Sequence, residues 1–403
     1  MGNYLDVIDE LKEKLDNDKK LADSLKKSLS DAKKKAKDLL EPTLFNALKW
    51  PVDIPDYIDY LVAYAQWVPN QYGDAWKKKG ADQNQEVYDR LCHFHWLINQ
   101  PVDDDNKPIA ESEVIQSGTW FKEWLIRYTR KWGSFLDTTE SFNDSTLQSF
   151  IDNAPQYNVL DSMVKDPHTR KLKPNAPSGW LTFNQFFARE LNPGLRPIDQ
   201  PDKNSSIVSP ADCTFKKRYD INEHSQIPDI TIKGTHKFAS IHELLDDSPY
   251  KDDFANGTFV HYFLGPYDYH RFHAPVSGKV VECRPVLGNV YLNVEIFDDE
   301  FHAPDSSQGG YEFSQARGII ILDTAESEFG NIGKVAILPI GMSQVSSVNM
   351  TAESCKSLLK GEEFGYFLFG GSDIIMLFQE GIGLELNEKQ EHHKYGTQVG
   401  TCG

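Results

Sequence analysis

From about residue 200 to the end of the chain, apolar residues come in short runs, and that rhythm constrains the fold more than any other feature. GTFVHYFL, GKVVECRPVL, GNVYLNVEIF, RGIIILDT and GKVAILPIGM follow one another, separated by Gly, Pro, Asp and Asn. No long helical period intervenes. Runs of this length bounded by turn residues read as strands, so a mainly antiparallel β domain is expected there. The first half has another rhythm. VYDRLCHFHWLI (87–98) and WFKEWLIRYTRKW (120–132) place apolar residues at i, i+3 and i+4, the spacing of amphipathic helices. All eight tryptophans, Trp50 to Trp180, precede residue 181. The polar, proline-containing stretch DPHTRKLKPNAPSGW (166–180) reads as a connection. The expected fold class is α+β: a lysine-rich helix over 1–40, a tryptophan-rich helical domain over 41–180 and a β domain over 181–403.

The bulk numbers exclude several function classes. The chain has 403 residues, is 39% hydrophobic and 25% charged, and carries a net charge of −18. That balance argues against nucleic acid and against broad adhesion to anionic lipid. No apolar run approaches the length of a spanning helix. The start, MGNYLDVIDELKEKLD, lacks the basic and apolar regions of a secretory signal. Five dispersed cysteines suit a reducing compartment, so a cytoplasmic protein is expected. One segment has the opposite charge. Residues 19–37 carry eight lysines along a stripe of Leu21, Leu25 and Leu29. Two readings stay open: a peripheral membrane contact, or a helix packed by one seam onto the body or onto a second subunit as a homodimer.

Two glycines and a serine interrupt strand-like sequence near the C-terminus. In GEEFGYFLFGGSDIIMLF (361–378), the apolar runs Tyr366–Phe369 and Ile374–Phe378 flank Gly370-Gly371-Ser372-Asp373. Glycine in a strand usually marks a turn or bulge. Here it stands with three other stretches: FFARELNPGLRPID (186–199), SPADC (209–213) and YHRFHAPVSG (269–278). In this order, ending in Gly-Gly-Ser, they resemble the phosphatidylserine decarboxylase family over roughly residues 180–403. The helical first half, GIIILDT and ILPIGMSQVSS resemble its soluble branch, which includes fungal tryptophan decarboxylases.

The residue types make chemical sense. Decarboxylation of an amine-bearing carboxylate needs an electron sink, and a carbonyl that forms a Schiff base with the amine is one. No ordinary side chain is a ketone. A serine next to glycine can become one: Ser372 Oγ attacks the Gly371 carbonyl, the resulting ester eliminates, and hydrolysis leaves a pyruvoyl cofactor at residue 372. Glycine at 371 removes the Cβ that would obstruct the attack. The resemblance assigns Asp212, His273 and Ser372 to a self-processing triad, with His273 as base and Asp212 orienting it. It assigns His270 to proton handling during decarboxylation. Arg189, Arg196 and Pro197 are read as structural.

Two departures stand out. Cys213 occupies a position where the family usually has glycine. Asp373 replaces a small hydroxyl residue, which would place a carboxylate beside the pyruvoyl group. If it faces the pocket, Asp373 disfavours phosphate and favours ammonium, so a free amino acid, with aromatic ones the first to test, is the expected substrate and phosphatidylserine the alternative. Phe263, Tyr267 and Tyr269 either line that pocket or belong to the core. His93 and His95 in CHFHW read as packing residues and no metal site is expected, because i and i+2 do not share a helix face. His392 and His393 read as a solvated loop. A Ser-His-Asp hydrolase is a competing class, weakened by the lack of G-x-S-x-G around Ser372. A biotinyl-type binding module is another, weakened by the lack of a lysine between methionines.

Overall fold

A computed structural model describes residues 4–78, 83–102, 113–232, 237–303, 310–343 and 347–403. The chain forms two compact units, and neither is a single segment. The first comprises 1–160, 177–186 and 289–304; the second comprises 161–176, 187–288 and 305–403. GNVYLNVEIF, expected as one long strand, contributes only Glu295–Phe297, paired with Glu300–His302, and belongs to the helical unit.

In the first unit, α1 (Leu5–Asn17) and α2 (Lys19–Leu39) are separated at Asp18. Asp18 leaves helical geometry, and its carboxylate accepts the Leu21 amide at 3.0 Å, capping α2. Leu25, Leu29, Ala22, Ala32 and Ala36 are buried. Ser28 Oγ donates to the Leu97 carbonyl at 2.7 Å, and Trp96 Nε1 donates to the Ala32 carbonyl at 2.9 Å. The stripe is therefore largely a packing seam, with Leu25 and Leu29 buried and Leu21 half-buried. Further helices of this unit are α3 (Ile54–Tyr64), α4 (Glu86–Ile98) and α5 (Thr119–Leu136), and several tryptophans are part of its interior. Trp124 and Trp132 are fully buried, and their indole N–H groups reach the Val7 and Trp67 carbonyls at 2.8 and 3.1 Å. His93 and His95 are buried in α4, where His95 Nδ1 meets Gln116 Oε1 at 3.0 Å. Among the described residues, no helix is long and apolar enough to cross a membrane.

The second unit is antiparallel β. Beside two separate two-stranded ribbons, its strands are β1 (Ser206–Val208), β2 (Cys213–Asp220), β3 (Thr258–Leu264), β4 (Arg271–His273), β5 (Gly278–Val286), β6 (Arg317–Asp323), β7 (Lys334–Met342), β8 (Val348–Met350), β9 (Ser357–Leu358), β10 (Glu363–Phe367), β11 (Gly371–Phe378), β12 (Glu385–Leu386), β13 (His392–His393) and β14 (Gln398–Thr401). An eight-stranded sheet runs β9-β5-β6-β7-β11-β3-β2-β13, beside three-stranded sheets β8-β10-β4 and β12-β14-β1. β11 is central and pairs on both sides: Ser372 stands opposite Gly341 of β7 and Leu264 of β3. Of ILPIGMSQVSS, residues 344–346 lie outside the described residues.

Both faces of the large sheet are covered, which explains why β11 reads as a continuous apolar run. Ile374, Met376 and Phe378 pack on one face with Tyr262, Leu264, Ile337, Phe272, Phe364 and Phe367. Ile375 and Leu377 pack on the other with Phe259, Leu338, Ile340 and Phe254.

Candidate active site

The interruption in the C-terminal strand is shorter than its sequence suggests. β10 ends at Phe367 and β11 begins at Gly371, so Ser372 and Asp373 are already in the sheet. Gly370 has φ 146°, within the left-handed region that favours glycine. The Gly371–Ser372 bond is thus the first peptide link of a fully paired strand. Ser372 is completely buried, and its Oγ has no hydrogen-bond partner among the described residues. A buried hydroxyl without a partner is costly and therefore informative.

Strand alternation separates Ser372 from Asp373. Ser372 has the parity of Ile374 and Met376, on the face where Phe272, Phe364 and Phe367 pack. Asp373 has the parity of Ile375, on the opposite face. There its Oδ1 lies 3.2 Å from His261 Nε2, and His261 Nδ1 lies 3.8 Å from Glu312 Oε1, with all three side chains fully buried. A substrate approaching Ser372 from its own face would not meet this carboxylate. The ammonium preference expected from Asp373 therefore loses its geometric basis. Phe263 shares the face of Asp373, and its ring is covered by Lys216 at 4.6 Å. It does not line the Ser372 side either. Tyr267 is 40% exposed.

The tripeptide Arg271-Phe272-His273 forms β4, and its edge pairing with β10 places Glu363 opposite His273. His273 Nδ1 meets the Gly361 carbonyl at 2.9 Å, so that nitrogen carries the proton and Nε2 is the acceptor position. Tyr269 Oη lies 3.2 Å from Nε2 and donates to it. The imidazole stacks on Tyr395 with centroids 3.7 Å apart and planes within 2°. Burial pushes its pKa down to about 4, with the Gly361 carbonyl and Asp212 opposing and Arg271 and Arg196 assisting. His273 is therefore neutral at ordinary pH, as a base must be.

Asp212 is not hydrogen-bonded to His273. Its carboxylate takes Arg196 Nε at 3.0 and 3.1 Å, Arg196 Nη2, and the Tyr395 amide at 2.8 Å. Arg196, read from sequence as structural, is thus the direct partner of the candidate triad acid. Asp212 acts on His273 through its field rather than by contact.

His270 is buried against Phe187, ring centroids 3.9 Å apart, and Phe187 meets Phe369 edge-on at 5.1 Å. Phe369 lies two residues before Gly371, so this aromatic chain joins His270 to the junction. Neither ring nitrogen of His270 makes a well-formed hydrogen bond among the described residues, although the nearby Gly265 and Pro266 backbone favours its charged form. Burial, helped by Arg189, pushes its pKa down to about 3. A buried, neutral imidazole thus lies against an aromatic ring. Sequence reasoning missed the C-terminal tail. His392 is exposed, as expected, although its Nε2 lies 2.9 Å from Asp268 Oδ1; His393, expected as solvated, is buried. Only the alternation of His393 with Tyr395 hinted that this segment packs.

A family model described as phosphatidylserine decarboxylase matches residues 183–401, more than half of the chain. The chain belongs to the phosphatidylserine decarboxylase family. These decarboxylases are carboxy-lyases, and the matched span includes every candidate residue above. The chain is similar to phosphatidylserine decarboxylase proenzyme 2 of Oryza sativa subsp. japonica, 33% identical over 65% of this chain and 38% of that one. It is similar to the phosphatidylserine decarboxylase proenzyme of Fusobacterium nucleatum, 35% identical over 50% of this chain and 61% of that one. It is also similar to the L-tryptophan decarboxylase of Psilocybe cubensis, 27% identical over 64% of this chain and 62% of that one. The chain therefore spans less than two thirds of the length of these relatives.

Proposed function

We propose that the chain is a self-processing, pyruvoyl-dependent decarboxylase of amine-bearing carboxylates. One observation carries the reading: a fully buried serine hydroxyl without a partner, directly after a glycine pair, on the sheet face shared with Phe272 of the His-Arg-x-His run. In the first step Ser372 Oγ adds to the Gly371 carbonyl carbon and the C–N bond breaks. The hydroxyl proton leaves through His273 and reaches the released amine, giving an ester. Loss of the Cα proton of residue 372 expels the Gly371 carboxylate and leaves a dehydroalanine. Tautomerisation and addition of water then release ammonia and leave the keto group. The ketone of a pyruvoyl group takes up the substrate amine and the electrons left as carbon dioxide departs. His270, neutral and enclosed by Phe187, would take up a proton that the substrate ammonium gives up as the Schiff base forms, and would return it to the carbon that loses the carboxylate. Gly361 and Tyr269 orient His273, while Arg196 and the Tyr395 amide hold Asp212.

A free, aromatic amino acid is our preferred substrate, with phosphatidylserine as the second reading. Support comes from the aromatic surroundings of His270 and His273, formed by Phe187, Phe369, Tyr269 and Tyr395. Three cations of the β unit already have protein partners. Arg196 pairs with Asp212, Arg271 pairs with Glu363, and Lys360 Nζ reaches the carbonyls of Gln200, Lys203 and Ser206. The tryptophan decarboxylase relative points the same way, and the more numerous phosphatidylserine decarboxylase names favour the second reading. Competition between L-tryptophan and phosphatidylserine vesicles for release of labelled carbon dioxide decides it. Turnover of the vesicles alone overturns the preference.

A further inference from the structure

Tyr395 touches both His273 and Asp212. Its ring lies flat on the His273 imidazole at 3.7 Å, and its backbone N–H donates to Asp212 Oδ1 at 2.8 Å. The same ring stacks at 5.6 Å on Tyr269, whose hydroxyl meets His273 Nε2 at 3.2 Å. His273 is thus fixed on its ring face by Tyr395, at Nδ1 by the Gly361 carbonyl and at Nε2 by Tyr269. The next residue explains how Tyr395 is held. Gly396 donates to the Ser209 carbonyl at 3.0 Å and accepts from the Asp199 amide at 2.8 Å. Its φ is +83°, and a Cβ there would stand 2.7 Å from Ile198 and 2.9 Å from the Pro197 carbonyl. The seat takes only glycine, and it sets where Tyr395 falls.

We propose that Tyr395 is a positioning residue for self-processing, so that the segment destined for the short chain completes the base that cuts it free. The proposal rests on the reading of His273 as the processing base. Residue 395 lies downstream of the Gly371–Ser372 junction. His273 and Asp212 lie upstream. Until β13 pairs with β2 and β14 pairs with β1, the ring is not on His273 and the N–H is not on Asp212. Cleavage is thereby delayed until both pieces are locked into shared sheets, and the new ends stay together.

The ring face does electrostatic work as well. His273 gains positive charge as it takes the serine proton, and a parallel π face stabilises that charge. The other groups facing it are Asp212, Arg196, Arg271 with its partner Glu363, the Tyr269 hydroxyl and the Gly361 carbonyl. Exchanging Tyr395 for leucine removes the π face and leaves all of these in place. Phenylalanine retains it.

The test follows full-length chains made by cell-free translation, with the cut fraction read by mass against time over a pH series. Tyr395→Phe is expected to process within about twofold of wild type. Tyr395→Leu is expected to be about tenfold slower, with the midpoint of its pH–rate curve roughly half a unit lower because the imidazolium is less stabilised. Melting of each variant in the Ser372→Ala background controls for folding. Should leucine unfold the chain, Tyr395→Met, of similar bulk and without a π face, is read in its place against the same expectations. Wild-type rate and midpoint in the π-deficient variant overturn the proposal and leave the cleavage reading intact. A wild-type chain that never splits overturns the cleavage reading itself.

Discussion

Replacing Arg196 with methionine should destabilise the β unit far more than loss of a surface ion pair. The Arg196 and Asp212 side chains are 5% and 6% exposed, and Nε alone meets both carboxylate oxygens at 3.0 and 3.1 Å. Asp161 lies 3.8 Å from Nη1 as a weaker second partner. Methionine fills the stem's volume and leaves Asp212 buried with the Tyr395 amide as a donor but without a cation. Breaking a buried pair from one side costs about 3–5 kcal/mol, whereas an exposed pair is worth about 0–1 kcal/mol. At roughly 2–4 °C per kcal/mol for a unit of this size, the melting temperature should fall by roughly 6–20 °C. Calorimetry in the Ser372→Ala background keeps the chain a single covalent species. The double variant Arg196→Met/Asp212→Asn removes both charges and should recover most of the loss. A drop below about 2 °C in the single variant, or no recovery in the double, refutes the idea that Arg196 neutralises a buried Asp212.

Two further outcomes follow from the buried histidines. His270→Gln should leave the chain cleaved yet lower carbon dioxide release by about 10²–10⁴-fold, the usual contribution of a positioned proton donor; full turnover in this variant contradicts the assignment. Acid should weaken the fold through four histidines. Burial holds His93 and His270 down to about 3, and His95 and His273 down to about 4. Unfolded histidine titrates near 6.5, so below that pH the unfolded chain binds more protons and stability falls as pH drops toward about 4. The slope is about 1.4 kcal/mol per pH unit for each histidine. Urea midpoints that do not change between pH 7 and 5 contradict this burial.

Much of the architecture was legible because both rhythms were strong. The apolar runs of the second half became β3, β5, β6, β7 and β11, and the tryptophan-bearing helical patterns became α4 and α5. The exception, GNVYLNVEIF, has a strand's composition but joins the helical unit, an outcome that period alone does not encode. At the candidate site, Ser372, His270, His273 and Asp212 are all buried, and their roles remain our proposal. What sequence could not show was orientation. Asp373 follows Ser372 by one residue, and a period of two sends it to the opposite face, toward His261. Asp212 was expected on His273 but is held by Arg196, a partner sixteen residues away. Tyr395 and His392 were hidden because isolated aromatic and polar residues in a charged tail carry no period; only folding brings them to His273 and Asp268.

Intact-mass analysis of the freshly purified protein under denaturing conditions tests the central claim most directly. The account predicts two chains, the shorter beginning at residue 372 with a keto group in place of the serine side chain and amine, and a single uncut chain when Ser372 is replaced by alanine. A wild-type chain that stays whole and still releases carbon dioxide from an amino acid would contradict it.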